Sequence, residues 1–74
     1  MNYDEFKKAA LFNFECGFLV EEDPAERKPF MESDEADAVI RQYYEKGATR
    51  DNAFAADGDL AKLFSDWMRT GRKL

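Results

Sequence analysis

The sequence predicts an all-α fold: a small single-domain bundle of three to four short helices that takes in residues 1–74. Three observations lead there. Apolar residues recur at helical spacing in three separate stretches. Those stretches open on capping or acidic residues and close on glycine or basic ones. The connections after residue 47 are too short for anything but neighbouring helices packed side by side. An α+β alternative competes at one place. Phe12, Phe14, Cys16, Phe18 and Val20 alternate with Asn13, Glu15, Gly17 and Leu19, so a small hairpin made from residues 12–20 and 28–32 stays open.

The first helix is expected from Asn2 or Tyr3 to about Glu15. Asp4 and Glu5 open it, and Tyr3, Phe6, Ala10 and Phe14 line one face, with Leu11 and Phe18 close beside them. Lys7 to Leu11 is a run of strong helix formers, which favours helix over strand. Gly17 ends it, with Phe18 to Val20 extended. Phe12 then falls outside the stripe and needs a second element or a partner to cover it. From Glu21 to Glu32 the chain carries two prolines and seven charges, which argues for a connector with no more than a short helical turn at Asp23-Pro24. Phe30 and Met31 pin that connector to the core.

The central helix runs from Ser33 to Gly47. Ala36, Val39, Ile40, Tyr43 and Tyr44 form its apolar stripe. Ser33 caps its free N–H groups, Asp34, Glu35 and Asp37 complement the positive end of its dipole, and Gly47 stops it in a left-handed conformation. Asp37–Arg41 and Arg41–Glu45 are four-residue charge pairs on its outer face. Thr49 caps a short helix from Arg50 to Ala56 that carries Ala53, Phe54 and Ala56. Asp57-Gly58-Asp59 reads as a turn, with Asp59 capping a last helix to about Thr70. Leu60, Leu63, Phe64, Trp67 and Met68 are its stripe, and Gly71 is its stop.

Composition narrows the function classes. Seven Phe, three Tyr and one Trp are a rich supply of core for 74 residues, although a chain this short has a thin margin as a monomer, so monomer and homodimer both remain open. A single cysteine, Cys16, forms no internal disulfide, which fits a reducing cytoplasm. It reads as a buried structural thiol. The longest apolar runs are four residues, Ala9 to Phe12 and Ala53 to Ala56, far short of a membrane span or a secretory signal. Cytoplasmic localisation follows, in the host cell if the protein is phage-encoded.

The chain contains no histidine. The commonest general base, the His-dependent nucleophile systems and the commonest metal ligand are therefore absent. With one Cys beside that, a zinc finger or zinc hydrolase site is excluded. Asp57-Gly58-Asp59, with Asp51 upstream, lacks the alternating acids and the downstream Glu of a calcium loop. No glycine-rich phosphate loop occurs. Adjacent carboxylates such as Glu21/Glu22 or Asp34/Glu35 lie in charged, solvated sequence rather than in a walled pocket. The expectation is a protein that is not an enzyme, with no cofactor and no metal.

Net charge is −5, and its distribution is uneven: from Glu15 to Asp37 there are nine acids and two bases. Such a balance speaks against direct nucleic-acid binding, which requires clustered Lys and Arg. A dense row of carboxylates instead presents a field like that of phosphates, suited to the basic groove of a nucleic-acid-handling complex. The candidate partner-binding residues are Glu21, Glu22, Asp23, Glu26, Glu32, Asp34, Glu35 and Asp37, with Phe12 as an apolar anchor. In general character the chain resembles the tiny acidic proteins that phages and mobile elements direct against host defence, anti-CRISPR and antirestriction proteins included, and colicin immunity proteins. That resemblance involves no shared motif. It implies a small protein-binding inhibitor that mimics nucleic acid. A regulatory or structural homo-oligomeric adaptor is the alternative.

Overall fold

The computed structural model describes residues 1–17 and 24–70, with side chains from Arg27 onward in the second range. Among these residues the protein is all-α. The helices are α1 (Tyr3–Cys16), α2 (Pro24–Met31), α3 (Asp34–Lys46), α4 (Arg50–Ala55) and α5 (Asp57–Arg69). The hairpin does not form, because residues 12–16 belong to α1 and residues 28–31 to α2. Helical spacing puts Phe6, Ala10 and Phe14 on one buried face and turns Phe12, which strand alternation would set beside Phe14, out to solvent. The extended reading of Phe18 to Val20 and the stop at Gly71 lie outside the described residues.

α1 begins with a capping box. The Asn2 side chain accepts from the Glu5 N–H at 2.8 Å, and the Asn2 N–H donates to Glu5 Oε1 at 3.1 Å. α2 forms where two prolines and seven charges predict a connector. Pro24 is acceptable in a first turn, where the N–H has no helical acceptor. Pro29 sits inside the helix and removes one hydrogen bond. The burial of Phe30 offsets that loss: its ring lies 5.6 Å from Phe14, 5.2 Å from Phe64 and 5.6 Å from Trp67. Aromatic pairs at such separations contribute about 0.5–1.5 kcal/mol each beyond simple burial.

Ser33 makes the corner between α2 and α3. Its hydroxyl donates to the Phe30 carbonyl at 2.6 Å and accepts from the Ala36 N–H at 3.2 Å, so one side chain closes both helix ends. Gly47 ends α3 with φ 152° and ψ 133°. Its φ is positive, as expected, but the backbone is extended rather than left-handed helical. A Cβ there would come 2.9 Å from Asn52 Nδ2, whose N–H binds the Gly47 carbonyl. Thr49 caps α4 by accepting from the Asn52 N–H at 3.2 Å.

α5 starts earlier than its sequence suggests. Asp57-Gly58-Asp59 is its first turn, and Asp59 is not a cap. Ala56 is the single residue between the helices and keeps helical angles, so the chain never leaves the helical region long enough to make a turn. The two acids still gain from the α5 dipole. The core gathers Phe6, Ala10, Phe14, Phe30, Ala36, Ile40, Ala53, Ala56, Leu60, Phe64 and Trp67. Met68, a marginal member of the α5 stripe, is exposed.

Two substitutions test this packing. Ile40→Ala and Trp67→Ala each remove a core side chain and should destabilise the protein by about 2–5 kcal/mol in urea unfolding. A loss below about 1 kcal/mol at either site would show that its side chain is not packed in the core. Gly47→Ala should cost roughly 1–3 kcal/mol, because it forces a Cβ into a positive-φ backbone and against Asn52.

Candidate partner-binding surfaces

Of the candidate carboxylates, Glu32 and Asp34 stand exposed on either side of Ser33, and Glu35 is half-exposed one residue on. Among the described residues none of the three forms an ion pair. The hydrogen bonds of Ser33 hold the corner, so these acids project from a fixed junction rather than a loose loop. Glu21, Glu22, Asp23 and the Glu26 side chain lie outside what the structure describes.

Asp37 belongs to the same acidic run but has a different environment. Its Oδ1 accepts from the Tyr3 hydroxyl at 2.5 Å and from Lys7 Nζ at 3.0 Å, and its Oδ2 accepts from Arg41 Nε at 2.9 Å. The Arg41 guanidinium also lies 4.1 Å from the centre of the Tyr3 ring. The Tyr3 hydrogen bond, with those from Lys7 and Arg41, holds the Asp37 carboxyl well below the usual carboxylate range against the opposing effect of its own burial. Burial and the Asp37 carboxylate push the Tyr3 hydroxyl well above an ordinary tyrosine. Asp37 therefore clamps α1 to α3, and two cations cancel its charge as seen from outside. A parallel contact joins α3 to α5: the Tyr43 hydroxyl donates to Asp59 at 2.6 Å, and this bond raises the Tyr43 pKa.

Two grooves flank α1. One, of about 390 Å³, is lined by Leu11, Glu15, Lys28, Met31 and Glu32 between α1 and α2. There Glu15, in the last turn of α1 where the helix dipole disfavours an acid, lies 3.8 Å from the buried Arg27 guanidinium. The other, of about 430 Å³, is lined by Lys8, Ala9, Phe12, Arg50 and Phe54 between α1 and α4. Phe12 is 68% exposed and Phe54 41%. The structure thus brings the expected anchor Phe12 together with a second aromatic ring and two cations. None of Glu32, Asp34, Glu35 and Asp37 lines that groove.

Phe54, Lys8 and Arg50 escape sequence reasoning. Phe54 is the largest apolar residue of α4, so it invites placement inside. Instead Ala53 and Ala56 are buried, because small side chains let this short helix lie close against α1, and Phe54 turns outward. The signal available was the three-residue spacing of those alanines. Cys16 is exposed, contrary to the expectation of a buried thiol. It lies two residues past Phe14, and so on the other side of α1 from the buried face.

Among the described residues no cluster of Cys, Asp or Glu side chains could hold a metal ion. No helix among them is long and apolar enough to cross a membrane. Comparison with protein-family models, with curated proteins and with solved structures finds no match.

The Asp37 contacts set the pH dependence of stability. A carboxyl whose folded pKa lies below its unfolded value of about 3.9 adds stability above that pH and loses it as pH falls toward the folded value. Tyr3 and Tyr43 act in the opposite direction: their raised pKa values add stability below about pH 10 that is lost as pH rises further. Asp37→Asn should therefore be less stable than wild type at neutral pH, with the gap closing below about pH 4. A gap that stays constant from neutral to strongly acidic pH in urea titrations would remove Asp37 from its role.

Proposed function

We propose that this chain is a non-catalytic, protein-binding inhibitor that presents carboxylates in place of nucleic-acid phosphates to the basic groove of a nucleic-acid-handling complex. One observation supports the reading above the others: Glu32, Asp34 and Glu35 project from a rigid corner with no ion pair among the described residues. Unpaired carboxylates on a fixed backbone make a preformed negative surface, which steers association and fits complementary cations without an ordering cost. The proposal extends the surface to Glu21, Glu22, Asp23 and Glu26, and removes Asp37 from it. Its setting is the host cytoplasm, in the manner of phage-encoded anti-CRISPR or antirestriction proteins.

The second reading is a homo-oligomeric adaptor. The exposure of Phe12 and Phe54 in one groove favours it, since apolar rings of this size are commonly covered in an assembly. Sedimentation at micromolar concentration under reducing conditions separates the two: a dimer abolished by Phe12→Ala supports the adaptor, and a monomer supports the inhibitor.

The test of the inhibitor is salt-resolved capture. Immobilised wild-type protein should retain a nucleic-acid-handling complex from host lysate at about 50 mM salt and release most of it by about 200 mM. Added duplex should compete it off. A Glu32→Gln, Asp34→Asn, Glu35→Gln variant should stay folded by circular dichroism and lose at least half of the captured complex. Capture that persists unchanged at high salt, or in the neutralised variant, ends the electrostatic reading.

A further inference from the structure

We infer that the groove between α1 and α4 is a second docking surface, and that its occupant is an amphipathic helix of a partner protein with carboxylates flanking its apolar stripe. Phe12 and Phe54 form the apolar walls, and Ala9 of α1 also lines the groove as a small residue that a bulky side chain can approach. The walls are held in register, because Asn13 Nδ2 donates to the Phe54 carbonyl at 3.4 Å and α4 packs mainly on α1. A groove of this kind accepts the anchor residues of an apolar helical stripe.

The charges choose among occupants. Lys8 and Arg50 both line the groove, and neither forms an ion pair among the described residues. Lys7, Arg27, Arg41 and Arg69, in contrast, are each paired with a carboxylate. No acid lines the groove, so the complementary charge has to come from the occupant. A second copy docking through the same face would set these cations against their own images, which costs energy. A nucleic-acid strand meets two cations here on a protein of net charge −5, too few to outweigh repulsion from the rest of the surface. A partner helix that is apolar along one stripe and acidic beside it satisfies the rings and the cations together. This surface is separate from the acidic corner and does not depend on the function proposed for it.

The experiment uses the full chain, with reductant present for Cys16, and three fluorescently labelled synthetic helical peptides read by anisotropy. The first carries a leucine stripe flanked by glutamates. The second has lysine in place of each glutamate. The third keeps the glutamates but scatters the leucines. The first should bind at least about tenfold more tightly than either of the others. Phe12→Ala with Phe54→Ala should weaken it by about tenfold or more, with an unchanged circular dichroism spectrum. Lys8→Glu with Arg50→Glu should reverse the preference toward the lysine peptide. Neutralising Glu32, Asp34 and Glu35 should leave this binding unchanged, which separates failure here from failure of the acidic corner. Equal binding of the three peptides overturns the inference. So does tighter binding of single-stranded oligothymidine than of the first peptide, or a self-associated state in sedimentation that Phe12→Ala dissolves.

Discussion

The ring of Phe30 is the contact on which the rest of the architecture depends. It reaches from an eight-residue helix into a cluster with Phe14 of α1 and with Phe64 and Trp67 of α5. Phe14 and Phe64 also meet edge-on at 5.8 Å. The four rings join the first, second and last helices, which are far apart in sequence, through contacts whose edge and tilted geometries suit the quadrupoles of the rings. A chain of 74 residues has few other ways to bury enough apolar area, so aromatic density takes the place of size. The cluster also explains why a segment with two prolines becomes helical. The backbone there follows the ring it has to deliver.

A polar clamp closes the other side of the same core. Tyr3 and Phe6 pack edge-on against Tyr44, at 5.2 and 5.3 Å, and the Tyr3 hydroxyl continues outward to Asp37. Lys7 and Arg41 complete the shell around that carboxylate. The clamp has a consequence for the surface. It uses up one acid of the mid-chain run and two cations, so the external charge pattern differs from the formal one. What remains outward at the α2–α3 corner is negative, and what remains outward at the α1–α4 groove is positive.

Helix α1 separates these two surfaces. Lys7, Leu11 and Glu15 follow one flank toward α3 and α2, while Ala9 and Asn13 follow the other toward α4. The first flank carries both signs, Lys7 and Glu15, each paired with a neighbouring helix, while the second borders the groove that Lys8 and Arg50 line.

The helical class, the starts of α1, α3 and α4 at Asn2, Ser33 and Thr49, and the stripes through Phe6, Ile40 and Phe64 are legible in the residues alone. Each of these is a local matter of spacing and capping chemistry that operates within a few residues. Exposure of Phe12 was legible too, because one residue off the stripe has no neighbour along its own helix to cover it. Tertiary structure alone decided the rest. It made α2 helical, because among the described residues the rings that meet Phe30 belong to α1 and α5. It started α5 at Asp57, because α4 runs into it without a break. It turned Phe54 outward, because alanine allows a closer approach to α1 than phenylalanine does. It also paired the half-exposed Asp37 carboxylate, because Lys7 and Tyr3 come from thirty or more positions away. Contacts of that range depend on which helix lies beside which, and no local pattern encodes that neighbourhood.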